Sequence, residues 1–156
     1  MLKAINWIGF LCLSLGSFAQ LNQFTFEEVD SLNKETSKPI VVFLHTNWCS
    51  YCEAMVHTTF KDEELIDTLN DHFYFISFDA ENQNDVVFQS HTFTFQPNGN
   101  KQGVHQLAIE LGKFNGTLSY PTTCVLNTDM EIVFQYNELM TKDHLLMVLQ
   151  ELVQSK

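Results

Sequence analysis

Cys49-Ser50-Tyr51-Cys52 is the stretch of this chain best suited to covalent chemistry. It follows the apolar run Pro39-Ile40-Val41-Val42-Phe43-Leu44, which reads as a buried strand, and precedes a segment with helical spacing. A thiol at a helix N-terminus faces unpaired N–H groups and the positive end of the helix dipole. Both favour the thiolate, the form that attacks disulfides. The second thiol lies one helical turn further on, close enough to close a disulfide with the first. The other readings of such a pair are a purely structural disulfide or half of a zinc site. A tetrahedral zinc site needs four ligands, and the sequence has neither a second CxxC nor a closely spaced His pair. Redox use is the reading taken forward.

The other candidates are fewer. Trp48 precedes the first Cys and suits either core packing or a partner-binding surface beside the thiol. His45 ends the strand and could tune the thiol. His57, His72, His91, His105 and His144 lack ligand spacing and take no role. Cys124 lies in an apolar strand and reads as a small buried hydrophobe, with a third redox participant as the alternative.

Several elements must position this pair. Thr25-Phe26-Glu27-Glu28 has capping-box spacing and opens a helix with Phe26, Val29 and Leu32 on one side. The strand over 40–45 has almost no polar positions, as expected when both faces are covered. The helix after Cys49 turns Ala54, Met55 and Val56 inward, and a second helix starts at the acids from Asp62. His72 to Asp79 is aromatic and β-branched throughout, hence a second central strand. Val86–Gln89 and Phe93–Gln96 read as one hairpin about Ser90-His91-Thr92, its Phe88, Phe93 and Phe95 covering a sheet edge or helix face. A partner-binding platform is the sharper reading of those three rings. Val104, Leu107, Ala108 and Leu111 give a helical face capped by Gly112. Strands over 121–126 and 131–136 form a hairpin, and a last helix from Thr141 buries Leu145, Val148, Leu149 and Leu152. This order predicts an α/β sandwich with a mixed sheet.

Bulk properties narrow the setting. Met1-Leu2-Lys3 followed by the apolar stretch Ile5–Phe18 and Ser17-Phe18-Ala19 has the layout of a signal peptide cleaved after Ala19. Residues 20–156 then form one domain, and Cys12 leaves with the signal. The expected location is periplasmic or secreted, with no integral membrane span after cleavage. The net charge is −11 and the chain has no arginine. Such acidity argues against nucleic acid and anionic membrane surfaces as partners.

WCxxC at the end of the first central strand, with Tyr120-Pro121-Thr122 opening a strand about seventy residues later, resembles the thioredoxin superfamily. The runs from Lys38 to Glu53 and Thr59-Phe60-Lys61-Asp62 look most like its secreted bacterial members. The resemblance implies a thioredoxin-like α/β/α sandwich with a central mixed sheet and a β-hairpin insertion over about 82–103. It implies Cys49 as nucleophile and Cys52 as resolving thiol. Pro121 matches the family's cis-proline, and Tyr120 the backbone position that pairs with substrate. With Trp48 these form the expected substrate-binding set. The chain departs from the family at Phe43, which stands where thioredoxins carry a buried Asp; either Glu53 or a water is then the substitute base, or resolution by Cys52 is slower.

The activity implied is thiol–disulfide exchange without a cofactor or resident metal. The expected role is a reductase of disulfides in other exported proteins, re-reduced by an upstream thiol protein. No His lies between the cysteines to hold a thiolate as an ion pair, which argues against a strong oxidant. The competing readings are an oxidase or isomerase with the same residues, a copper(I)-handling protein using the two thiolates with His45 or another His nearby, and a binding module whose CxxC only locks the fold.

Overall fold

The computed structural model describes residues 20–99 and 102–155. The expected signal segment, Cys12 within it, lies outside the described residues. The helices are α1 Phe26–Leu32, α2 Ser50–His57, α3 Glu63–His72, α4 Gln106–Gly112 and α5 Lys142–Gln154, with a 3-10 turn at Thr59–Lys61. The strands are β1 Ile40–His45, β2 Tyr74–Asp79, β3 Val86–Phe88, β4 His91–Phe93, β5 Phe95–Pro97, β6 Gly103–His105, β7 Thr122–Leu126 and β8 Ile132–Tyr136. None of the described helices is long and apolar enough to cross a membrane.

A four-stranded mixed sheet in the order β2-β1-β7-β8 carries the fold. β1 is parallel to β2 and antiparallel to β7, and β8 completes a hairpin with β7. The central strand is apolar at alternate and intervening positions because each face has its own core. Ile40, Val42 and Leu44 enter one cluster with Phe26 and Val29 of α1, Leu107 and Leu111 of α4, and Phe88 of β3. Val41 and Phe43 enter the other with Met55 of α2, Leu65 and Leu69 of α3, and Leu145 and Leu149 of α5. Strand alternation therefore divides the molecule into two cores. Cys49 and Cys52 belong to the second core and Cys124 to the first.

Local chemistry fixes the helix starts as the spacing predicts. Thr25 and Glu28 form a reciprocal capping box, and Asp62 and Thr141 accept N–H groups at the starts of α3 and α5. Five local expectations are corrected. His72 ends α3, and β2 begins two residues later at Tyr74. Val56 points to solvent rather than inward. Val148 and Leu152 are half-buried. Val104 lies in β6, because the helix opens only at Gln106. Gly112 is the last residue of α4, packed so tightly that an added Cβ would stand 2.7 Å from Leu44 and Leu118. It serves close packing rather than a left-handed cap.

The segment between β2 and α4 departs furthest from expectation. It forms two ribbons, β3–β4 and β5–β6, in place of the single long hairpin. Gln89 and Ser90, at φ 51° and 62°, make a two-residue turn that pairs Phe88 with His91. Two successive positive φ values suit the twist of a tight hairpin. Phe95 thus passes to the second ribbon, opposite His105. The first ribbon covers α1. Phe88 packs edge-on against Phe26 at 5.0 Å, Glu27 accepts the Val87 N–H, and Asp30 accepts both the N–H and the side-chain amide of Gln89. Covering a helix is the use this ribbon shows.

Candidate active site

Cys49 and Cys52 are joined as a disulfide. Cys49 is the N-cap of α2, and its Sγ accepts the Cys52 N–H at 3.1 Å. The geometry aims a helix N-terminus at the first sulfur, where N–H groups and dipole stabilise negative charge as it develops. Both cysteines are largely buried, Cys49 at 8% exposure being the more accessible and Cys52 at 3% the less. The loop before α2 is held by the Cys49 N–H donating to Thr46 O at 3.2 Å.

On its inner side the pair meets apolar groups. Phe43 is fully buried in the same core as both cysteines and stacks edge-on against Phe60 at 4.9 Å. The place expected to hold a buried base therefore holds a ring. Glu53 faces solvent, 3.9 Å from His57, on the exposed side of α2. His45 stacks on Phe43 at 5.5 Å. Burial lowers its pKa, against a smaller opposing pull from Asp79. At neutral pH the ring therefore carries no charge to lend to the thiolate.

The outer side is aromatic and acidic. Trp48 is 69% exposed and Tyr51 66%. The Trp48 indole N–H donates to Glu81 Oε1 at 3.1 Å, and its ring meets Tyr120 edge-on at 6.2 Å. Of the two readings of Trp48, core packing is corrected by this exposure. Tyr120-Pro121 is a cis peptide bond, and Pro121 is buried. The turn before it is tied by Thr122 Oγ1 donating to Ser119 O at 2.7 Å, and by Ser119 Oγ donating to Asn137 O at 3.2 Å. The Tyr120 hydroxyl is buried without a partner among the described residues. Burial first, then the charges of Glu81 and Asp79, push its pKa up to about 12.

Cys124 is fully buried and free. Burial pushes its pKa up to about 12. Strand alternation puts it on the opposite side of the sheet from the disulfide, which fits the inert reading.

Sequence reasoning missed Asn47, Asp79 and Glu81. Asp79 accepts from the Asn47 amide at 3.2 Å and from the Glu81 N–H at 3.0 Å. A signal existed: β1 and β2 are parallel, so the acids after β2 emerge at the same sheet end as the cysteines after β1. Among the described residues no group of three His, Cys, Asp or Glu side chains gathers as a metal site. The copper(I) reading therefore rests on the two thiols alone.

A family model described as a thioredoxin-like domain matches residues 26–152. No curated protein matches the chain significantly. Among solved structures, a DsbH oxidoreductase superposes with a TM-score of 0.60 at 17% identity, covering 88% of each chain. A thioredoxin from Thermus thermophilus gives 0.59 at 18% identity, covering 85% of this chain and 87% of its own. A disulphide isomerase from Xylella fastidiosa Temecula1 gives 0.56 at 17%, covering 81% and 87%. At such identities the likeness is one of fold.

Proposed function

The chain belongs to the thioredoxin-like domain family, and from that premise we propose that it is an exported reductase of disulfides in other exported proteins. Its enzyme class is thiol–disulfide oxidoreductase. The observation that carries the reading is the Cys49–Cys52 pair at the start of α2, with the Cys49 sulfur already accepting a helix N–H.

In the proposed cycle the Cys49 thiolate attacks one sulfur of a substrate disulfide. A mixed disulfide forms and the first substrate thiolate leaves. Cys52, losing its proton, attacks the Cys49 sulfur and expels the second substrate thiolate. Two electrons pass to the substrate, whose two thiolates take up two protons. The oxidised pair remains, and an upstream dithiol protein re-reduces it. Trp48, Tyr120 and Pro121 are the proposed substrate-binding set around the disulfide. The reductive direction is supported by the dipeptide Ser50-Tyr51, which places no imidazolium beside the thiolate, and by the uncharged His45. Export is supported by the layout of residues 1–19, and residues 20–156 are the proposed mature domain.

The test is the reduction potential of residues 20–156 equilibrated against defined thiol–disulfide buffers. A value near about −270 mV, that of thioredoxin, supports a reductant. A value towards about −120 mV makes the protein an oxidant and reverses the proposed direction. Mass spectrometry of the protein recovered from its host checks export, with a mature chain beginning at Gln20 as the expected result.

A further inference from the structure

Against Trp48, the residue before Cys49, lies a cavity of about 330 Å³ that the exchange chemistry does not itself use. Trp48 and Phe95 form its aromatic walls, and Asn47, Asp79, Glu81 and Gln83 bring polar groups to it. The geometry points to this cavity as the pocket that selects a lysine or arginine side chain of the partner polypeptide, close in sequence to the cysteine being reduced. This inference rests on the oxidoreductase reading and adds a substrate class to it.

Three observations carry it. First, the pocket adjoins the reacting group through Trp48, which is both its wall and the residue preceding Cys49. A side chain of a polypeptide bound across the disulfide can therefore enter it. Second, its charge is negative and held in place. Glu81 Oε1 is fixed by the Trp48 indole N–H, and Asp79 by the Asn47 amide and the Glu81 N–H. Among the described residues neither carboxylate lies within ion-pair distance of a lysine or histidine, and Glu81 Oε2 accepts no hydrogen bond. Third, the walls suit the rest of such a side chain. A cation is attracted to an indole face, and the methylene stem of lysine or arginine covers apolar surface. A neutral apolar side chain would leave the carboxylates desolvated and unpaired, and an acidic one would be repelled. The same field already reaches the site, where Glu81 and Asp79 help hold the Tyr120 hydroxyl protonated.

The second ribbon builds the far wall. Gly103 of β6, opposite Pro97 of β5, has no room for a side chain, because a Cβ would collide with the Gln96 carbonyl oxygen and the Phe95 ring. The ring of Phe95 therefore lies over Gly103 where both line the pocket.

The experiment uses pre-reduced protein in single turnover on two disulfide-bonded peptides, identical except for lysine or glutamine next to the attacked cysteine. The wild type is expected to reduce the lysine peptide about five- to tenfold faster at low salt. The preference should shrink at about 1 M salt, where screening acts within about 3 Å. Glu81→Gln keeps an acceptor for the Trp48 N–H while removing one of the two pocket charges, and should lower the ratio of the two rates markedly towards one. Glu81→Lys should invert it. Asp129→Asn removes an acid from the β7–β8 turn, at the other end of the sheet, and should leave the ratio as in the wild type. Lys101→Ala is measured as well, as the control for the cationic residue that precedes the lining residue Gln102 in the sequence. Equal rates for both peptides in the wild type and in Lys101→Ala overturn the inference and leave the oxidoreductase reading standing. So does a ratio that falls as much in Asp129→Asn as in Glu81→Gln, since net charge would then explain it. If the wild type reduces neither peptide, the oxidoreductase reading falls and the preference with it.

Discussion

Three thiols of the domain occupy three different environments, and reactivity should follow them. Cys49 caps a helix and is the most accessible of the three, Cys52 is tucked one turn behind it, and Cys124 is sealed in the opposite core. Native reduced protein treated with iodoacetamide at about pH 8 should be alkylated first at Cys49, and at Cys124 only after denaturation. Peptide mass spectrometry reads the order. Modification of native Cys124 would contradict both its burial and its raised pKa, up to about 12. Cys49→Ser should abolish disulfide exchange. Cys52→Ser should instead accumulate a mixed disulfide with substrate, visible as an added mass that dithiothreitol removes. Equal, unimpaired activity in both variants would favour the fold-locking module. Phe43 sets the buried side of the pair at the same scale. A phenyl ring there offers no acceptor for the Cys52 proton.

At the scale of elements, the ribbons between β2 and α4 hold the surroundings of the site to the sheet. Phe88 is almost fully buried and packs on Phe26, so Phe88→Ala should cost about 3–5 kcal/mol, measured by urea unfolding. A loss under about 1 kcal/mol would mean that the first ribbon is not part of the core. His105 joins the second ribbon to α4. Its Nδ1 accepts the Leu107 N–H at 3.2 Å, and its Nε2 lies 3.2 Å from Asn84 O, so the neutral ring with a proton on Nε2 satisfies both. Burial lowers its pKa, as it does for His45. A lowered folded-state pKa means that the unfolded chain binds the proton more readily. The two rings therefore contribute stability in full above about pH 6.5, and it declines as pH falls from there towards their folded pKa values. His105→Asn retains a capping acceptor and should flatten part of that decline in denaturation curves taken between about pH 7 and 5. An unchanged slope would rule out His105 as the titrating group.

These ribbons are also where the sequence was least legible. β1, the CxxC turn, the capping box at Thr25 and the Tyr120-Pro121 strand start each carry their cause within a few residues, and spacing alone located them. The Gln89-Ser90 turn uses two non-glycine residues at positive φ, so no Asn-Gly or Gly-Gly signal marks it. Three-residue strands are too short for alternation to fix their register, which is why Phe95 fell in the wrong ribbon. The bond from Trp48 to Glu81 spans 33 residues and depends on two parallel strands ending together. Local pattern cannot supply it; topology can.

Across the whole molecule, two cores on opposite faces of one sheet supply the stability, and the disulfide adds little to it. The bond closes a loop with a sequence separation of only 3. Chain-entropy reasoning gives a cross-link over so short a loop about 2 kcal/mol at most. A domain of this size, with large apolar side chains buried on both faces of its sheet, typically has about 5–15 kcal/mol in hand. The reduced protein should therefore stay folded, with a circular dichroism spectrum like that of the oxidised form and a melting temperature only a few degrees lower. That outcome is what a carrier of electrons requires, since it must keep one surface for partners in both redox states. Collapse on reduction would instead mean that the cysteines serve to lock the fold. Calorimetry of the two forms side by side separates these cases, and the stability difference it yields must agree with the measured potential. The same free energy that favours the folded oxidised form sets how readily the dithiol gives up its electrons.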